Sequence, residues 1–303
     1  MTEAVSKEKQ MESAIPDVGV VYGMPREQYD LIPRTNWSKA KHIAKSPAHA
    51  RYAMTEEEED TDAKLIGRAV HSAVLEPELF RSTYAIWDGD RRAGKAWDAF
   101  EAKNSSMEIL RSKDAKHVKA LQDAVRGSPD ASRYLVGGKR EVTVLWTHSQ
   151  PDVGDVPGFR MPCKARIDFE SNAGVLVDLK KTRNASPRGF GAEVWKYRYD
   201  AQAAMYQDAF FAATGKRYPY VFVAVEDNAP HVVQVYTVPE HVLEAGREHY
   251  RELLQRFFFC LAESRWPGYF DGESELELPR WATSFDEEDD VSGIGLEFAA
   301  AEG

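Results

Sequence analysis

The chain has 303 residues, of which 43% are hydrophobic and 29% are charged, so it is long enough to bury the core of one or two domains. It contains no run near the roughly 18 consecutive apolar residues of a membrane span, and its polar N-terminus lacks the apolar segment of a secretory signal. Two cysteines cannot form a disulfide framework or a four-thiolate metal site, so we expect a cytoplasmic protein without membrane association.

The formal charge of -10 is unevenly distributed along the chain. Residues 271–303 hold eleven acidic side chains against one base, Arg280, and therefore account for the whole net charge. The rest of the chain is formally neutral and has basic clusters within residues 34–45, 91–95 and 180–188. Net charge therefore does not exclude a nucleic-acid partner, although each cluster alone is equally consistent with a solvated surface.

The first third of the chain has the pattern of helices. Apolar residues recur at three- and four-residue spacing from Ala63 until Pro77, which predicts an amphipathic helix that ends at the proline. The other expected features are a disordered leader (residues 1–18), helix starts at Ser38 and Ser46-Pro47, an exposed acidic loop (56–62), and one or two charged helices over residues 91–127.

From residue 141 onward the period of the apolar residues becomes that of a strand. Met161, Cys163, Ala165, Ile167 and Phe169 alternate with polar residues, so they should form one buried face. The expected elements are strands over Glu141–Thr147, 161–170, Val175–Lys180, Tyr220–Glu226 and His231–Thr237, and helices over Val194–Ala213 and 240–263. This order predicts one α/β domain with a mixed sheet over residues 19–282 and a disordered acidic tail over 283–303.

Polar side chains converge on the hairpin predicted between residues 161 and 180. Asp178 and Lys180 are two residues apart on one strand and share a face, and the turn brings Asp168 beside Asp178. Two adjacent carboxylates repel each other unless a cation lies between them, and oxygen ligands favour Mg²⁺ or Mn²⁺. The lysine could then orient a water for attack on phosphorus. Surface salt bridges are the alternative, because Asp-x-Lys also begins at Asp62 and Asp114.

These residues resemble a known enzyme core. Asp168 followed by Asp178-Leu179-Lys180 is similar to the D…(D/E)-x-K core of the PD-(D/E)xK nuclease superfamily, with Ile167 in place of the usual proline. Residues 67–71 resemble the G-x-x-x-H helix of its RecB-like branch, and residues 202–206 resemble the Q-x-x-x-Y helix. The resemblance implies a restriction-endonuclease-like α/β core with a mixed central sheet flanked by helices.

A further set of strings resembles the RecE-like (exonuclease VIII-type) exonucleases, in the same order along residues 20–282. The strings are Ser38-Lys39, Ser46-Pro47-Ala48-His49, the segment from Cys163 to Asp168, Trp266-Pro267-Gly268-Tyr269 and Leu278-Pro279-Arg280-Trp281. This resemblance implies a Mg²⁺-dependent exonuclease, with Mn²⁺ as a substitute, that digests linear duplex DNA 5′→3′ and leaves 3′ overhangs for strand annealing. It also implies a ring-shaped homo-oligomer, with a tetramer as one candidate, a RecT-like annealing partner and a phage or prophage origin.

The resemblance assigns roles to individual residues. Asp168, Asp178 and Lys180 would be catalytic, and Gln202 and Tyr206 would support the active site or touch the DNA backbone. Glu141 is either an additional acid near the site or part of a salt bridge at the strand edge. The implied metal ligands are His71, Asp168, Asp178 and the backbone carbonyl of Leu179.

Two alternatives stay open at the level of sequence. One is another RecB-like nuclease, specific for single strands or for a DNA structure, and the other is an inactive DNA-binding recombination subunit. The intact set of two acids and a lysine argues against an inactive site. No G-x-x-x-x-G-K-[ST] phosphate loop occurs, so the chain has no ATPase machinery of its own, and two cysteines cannot bind an iron–sulfur cluster. Phe257–Phe259 is expected in the core or in an oligomer contact.

Overall fold

The computed structural model describes residues 16–56, 61–270 and 272–278. Nearly all of the predicted leader, most of the predicted acidic loop, the acidic tail and the end of the last RecE-like string lie outside the described residues. None of the described helices has the length and apolar character needed to cross a membrane.

The described residues form a mixed sequence of helices and strands. The helices are α1 (Arg26–Leu31), α2 (Trp37–Ala40), a 3-10 turn (Lys41–Ala44), α3 (Pro47–Thr55), α4 (Asp62–Leu75), α5 (Pro77–Thr83), α6 (Lys95–Lys103), α7 (Ser112–Gly127), α8 (Pro129–Leu135), α9 (Pro187–Tyr197), α10 (Tyr199–Thr214) and α11 (Glu240–Glu263). The strands are β1 (Gly19–Val21), β2 (Tyr84–Trp87), β3 (Glu108–Arg111), β4 (Lys139–Gln150), β5 (Phe159–Ser171), β6 (Val175–Thr182), β7 (Tyr220–Glu226) and β8 (Val233–Thr237).

A six-stranded mixed sheet forms the centre of the fold, in the order β1-β4-β5-β6-β7-β8. Strands β6 and β7 are parallel, and the other neighbouring pairs are antiparallel. This sheet with its flanking helices confirms the predicted fold class. Strands β2 and β3 form a separate parallel pair. The helices predicted over residues 91–127 are present as α6 and α7, but strand β3 between them was not predicted.

Helices cover both faces of the central sheet. On one face, α10, α11 and the segment from α2 to α3 pack against the sheet in a core that includes Phe210, Phe222 and Leu254. On the other face, α4, α7 and α8 pack against Val177 and Val223. Phe257 lies in the first core, as predicted. The two cores hold β5 and β6, which carry the predicted acids, between layers of helices.

Side-chain caps set where the N-terminal helices begin. The Ser46 hydroxyl accepts a hydrogen bond from the backbone N–H of His49, and Pro47 occupies the first helical position, which confirms the start predicted for α3. Ser38 does not start a helix. The cap of α2 is Asn36, whose side chain accepts from the backbone N–H of Lys39, and Ser38 donates to the same amide oxygen.

The helix predicted over Val194–Ala213 is two helices. Arg198 lies between α9 and α10 in the left-handed conformation, with φ 55° and ψ 46°, so the chain changes direction there. The last predicted strand also begins later than expected. His231 has φ 59°, which is incompatible with a strand, and β8 starts at Val233.

The alternation predicted for β5 holds up to Ile167 and then changes face. Ile167 belongs to the core on the α10 side, whereas Phe169 belongs to the core on the α4 side. The pairing of β4 with β5 is interrupted between Glu141 and Asp168, and Glu141 has φ 48°. Such local distortions of a ladder re-aim side chains, and here the distortion lies at a predicted acid. Lys164, expected on the polar face, is buried there, because its ammonium donates to the carbonyl oxygens of Tyr29 and Asp30.

Candidate active site

The two predicted acids lie opposite each other on neighbouring strands. Phe169 pairs with Val177 in the antiparallel register of β5 and β6, so Asp168 and Asp178 occupy the next opposed positions. The backbone N–H of Leu179 donates to Oδ2 of Asp168 over 2.9 Å. The predicted convergence of both carboxylates on this hairpin is thus present in the structure.

Asp178, which is buried, and Lys180, which is half-buried, form an ion pair. Lys180 Nζ lies 2.6 Å from Asp178 Oδ1, and the hydroxyl of Tyr220 on β7 donates to Asp178 Oδ2 over 3.1 Å. The side chain of Asp178 is 2% exposed. Its two oxygens therefore have specific partners, and its predicted role as a metal ligand stays a prediction, as does the role of the Leu179 carbonyl.

His71 and Glu141 approach Asp168 from two other elements. His71 on α4 places Nδ1 3.5 Å from Asp168 Oδ2. One ligand atom of each of His71, Glu141 and Asp168 lies within 4.8 Å of the other two. An imidazole nitrogen and two carboxylate oxygens at this spacing are a donor set that suits a divalent ion such as Mg²⁺ or Mn²⁺. The residues present therefore fit the metal implied by the sequence.

Glu141 lies both near the site and in a salt bridge, the two roles between which the sequence did not decide. Besides its place in the ligand cluster, its Oε2 accepts a hydrogen bond from Arg166 Nε over 2.5 Å. Arg166 is in turn fixed by a second donation, from Nη1 to the carbonyl oxygen of Met24. A carboxylate held in this way loses rotamer freedom before any ligand binds, so the salt bridge orients Glu141 toward the cluster.

The electrostatics of the site are dominated by burial and by the two facing acids. Burial and the neighbouring Asp178 carboxylate raise the pKa of Asp168 to about 7, against the opposing effects of His71 and Lys180. Burial lowers the pKa of Lys180, but the charges of Asp178 and Asp168 outweigh it, so the net direction is upward. The lysine therefore stays an ammonium at neutral pH, and a cation beside Asp168 would favour its ionised form.

The predicted pair on the following helix also reaches the site. Lys180 Nζ donates to Oε1 of Gln202 over 3.3 Å, and Tyr206, one turn further along α10, is largely buried. Burial raises the pKa of Tyr206 well above its ordinary value, so its hydroxyl stays protonated. The structure thus brings together His71, Asp168, Asp178, Lys180, Gln202 and Tyr206, and it adds Glu141.

Two tyrosines at the site were missed by the sequence analysis. The Tyr220 hydroxyl binds Asp178, and the ring of Tyr199 lies 4.5 Å from the Lys180 ammonium. A tyrosine at the start of a strand or helix has no distinctive spacing, so no local signal marks these residues. Their contacts arise from the parallel pairing of β6 with β7 and from the break at Arg198.

Residues 36–276 match the model of a protein family described as "PDDEXK-like domain of unknown function (DUF3799)". None of the curated proteins matches the chain. Among solved structures, a protein from Eubacterium rectale named "Putative exonuclease" aligns with a TM-score of 0.57 at 15% identity, over 88% of this chain and 100% of that one. At this identity the likeness shows a shared fold. SSO0001 aligns with a TM-score of 0.26 at 15% identity, over 71% of this chain and 83% of that one, which is too low to support any inference.

Proposed function

Since the chain belongs to the DUF3799 family of PDDEXK-like domains, and so to the PD-(D/E)xK superfamily, we propose that it is a divalent-metal-dependent DNA nuclease. The observation that carries this proposal is the convergence of Asp168, Asp178 and Lys180 on adjacent strands, with His71 and Glu141 beside Asp168. This arrangement is not explained by stability of the fold, because a buried and a half-buried acid that face each other destabilise a metal-free protein.

Different side chains of the site would have different roles in phosphodiester hydrolysis. His71, Glu141 and Asp168, with Asp178, would hold the metal ion, which when bound neutralises charge that develops on the phosphoryl oxygens. The Lys180 ammonium is oriented by Asp178 and Gln202 and donates hydrogen bonds to the attacking water or to a phosphoryl oxygen. Tyr220 fixes Asp178, so the ammonium is positioned before substrate arrives.

We infer further that the enzyme is RecE-like and resects linear duplex ends 5′→3′, leaving 3′ overhangs for strand annealing. Two of the RecE-like strings lie against each other, which supports a shared role. The backbone N–H of Ala48 donates to the carbonyl oxygen of Pro267, and the rings of His49 and Tyr269 are 5.7 Å apart. A ring-shaped homo-oligomer and a RecT-like annealing protein are part of the same proposal.

The test compares linear and covalently closed plasmid in Mg²⁺, in Mn²⁺ and in EDTA. A second set of linear plasmids has either the 5′ or the 3′ ends blocked. We expect metal-dependent digestion of the linear plasmid, blocked by 5′ protection, with a long 3′ single strand as product. Asp178→Asn serves as the inactive variant, and Asp123→Asn, an exposed acid paired with Lys119, serves as the matched control.

Each alternative predicts a different result in this assay. Cleavage of the closed circle would identify an endonuclease and contradict end resection. Preference for single strands would favour another RecB-like nuclease. No cleavage of any DNA by the wild-type chain, with DNA binding retained, would favour the inactive recombination subunit.

A further inference from the structure

A basic cleft of about 400 Å³ opens beside the candidate active site. Lys41 and Lys45 line one side, and Lys196 and Arg198 line another, while none of the described residues lining the cleft is acidic. The whole chain has 49 acidic residues against 39 lysines and arginines, so this local charge is opposite to the net charge. A cleft with this positive local charge attracts a phosphate backbone.

The cleft adjoins the catalytic lysine. Gln202 and Tyr206 form part of its wall, and Gln202 accepts the hydrogen bond from Lys180 Nζ. Tyr199 also lines the cleft, with its ring 4.5 Å from the same ammonium. A phosphate chain lying in the cleft would therefore lead directly to the residues proposed to hydrolyse it.

The break between α9 and α10 presents aromatic and basic side chains at the mouth of the cleft. Because Arg198 adopts the left-handed conformation, residues 195–199 form a corner instead of a continuous helix. Tyr197 lines the cleft and is 47% exposed, with the Lys196 ammonium 5.1 Å from its ring centre. Trp195 is 66% exposed, and the Arg198 guanidinium lies 3.6 Å from its ring centre. The tryptophan thus positions the arginine.

The exposed ring of Tyr197 is close to the site. Its centre lies 5.6 Å from that of Tyr199, which in turn contacts the Lys180 ammonium. Two acids lie next to this corner in the sequence: Asp200 is 4.0 Å from Arg198, and Glu193 accepts a hydrogen bond from the backbone N–H of Arg183. Tyr197 is nevertheless 47% exposed, so part of it is open for contact with a ligand although the Lys196 ammonium and the Tyr199 ring lie beside it.

We propose that this corner and the cleft bind an unpaired DNA strand, with a base stacked on Tyr197 and phosphates on Lys45, Lys196 and Arg198. Proteins bind single strands by combining basic grooves with aromatic rings on which bases stack. Inside a duplex the base faces are covered by their neighbours, so an interior base can stack on the tyrosine only once its strand is unpaired. The inference rests on the proposed nuclease function and adds that the strand end must be unpaired before it reaches Lys180.

The test measures equilibrium binding of fluorescein-labelled DNA in EDTA, where the proposed cleavage is absent. The ligands are a single-stranded oligonucleotide, the same oligonucleotide with abasic sites, and a blunt duplex of the same sequence. Tyr197→Ala should weaken binding of the single strand about tenfold, and Tyr197→Phe should restore it because the ring is kept. Neither variant should change binding of the abasic strand or the duplex. Lys196→Ala should reduce the slope of log affinity against log salt concentration by the amount expected for about one lost phosphate contact.

Phe211→Ala is the matched control, because Phe211 is also an exposed ring with a cation over it, Arg217, at the other end of α10. It should bind all three ligands as the wild type does. An unchanged affinity of Tyr197→Ala for the single strand, or an equal loss for the duplex, would overturn the inference while leaving a cleaving wild-type enzyme intact. Binding that depends on Tyr197 in a chain that cleaves no DNA would instead overturn the nuclease proposal.

Discussion

Asp168→Asn should stabilise the metal-free protein, although it removes a residue proposed to be catalytic. Burial and Asp178 raise the pKa of Asp168 to about 7 from an ordinary value of 3.8, so ionising this carboxyl in the folded state is unfavourable. At ~1.36 kcal/mol per pKa unit, the ionised acid costs about 4 kcal/mol at pH 8. Asparagine avoids this cost and keeps an oxygen that can accept the hydrogen bond from the Leu179 N–H.

The pH dependence follows from the direction of the shift. Because the pKa of Asp168 is higher in the folded than in the unfolded state, the folded protein binds more protons between about pH 4 and pH 7. The contribution of Asp168 to the stability of the wild type should therefore fall as pH rises through this range and should then stay level. The advantage of Asp168→Asn should be small near pH 4.5 and complete above pH 7.

Thermal unfolding in EDTA, followed by circular dichroism, measures this effect. We expect the melting temperature of Asp168→Asn to exceed that of the wild type by roughly 5–10 °C at pH 8. Asp123→Asn, at an exposed pair, should shift it little. Adding Mn²⁺ should stabilise the wild type and not Asp168→Asn. A variant no more stable than the wild type at pH 8, or one whose advantage persists at pH 4.5, would refute the assignment of a buried, raised-pKa acid.

Three further substitutions test separate parts of the site and its support. Asp178→Asn should abolish metal-dependent release of nucleotides from linear DNA without loss of the folded state, and activity near the wild-type level would contradict the assigned site. Arg166→Met should weaken Mn²⁺ binding about tenfold by calorimetry, because Glu141 loses the partner that orients it, whereas Arg160→Met on the exposed side of β5 should not. Gly246→Ala should lower the free energy of unfolding measured in urea by about 1–3 kcal/mol, because a Cβ would meet the backbone of Asp200. Gly191→Ala should lower it much less, because a Cβ at Gly191 has open space around it.

The parts of the site that the sequence predicts correctly are those encoded by short-range periodicity. Strand alternation around residues 161–180 places Asp168 opposite Asp178, which follows from side-chain direction within two adjacent strands. This needs no knowledge of how distant segments pack. His71 is identified only by the resemblance to the G-x-x-x-H helix, and the structure places its ring beside Asp168.

Features that depend on distant segments cannot be predicted from the local spacing of residues. The burial of Lys164 requires α1, more than 130 residues earlier in the chain, to supply two carbonyl oxygens. The binding of Tyr220 to Asp178 requires β7 to pair with β6 in a parallel register. The break at Arg198 carries no glycine or asparagine, the usual residues of the left-handed conformation, so the helical pattern around it predicts one continuous helix.

The break at Arg198 shows why the chemistry of the site is easier to predict than its substrate. The acids and the lysine lie on one hairpin, so their residue types and spacing already indicate a metal and a phosphodiester. The basic cleft joins residues 41–45 to residues 196–202, and the second segment spans the break between α9 and α10. In a continuous helix, Tyr197 and Arg198 would point in directions fixed by the register of Gln202 and Tyr206. The form of DNA proposed to reach Lys180 would therefore depend on the backbone conformation of Arg198.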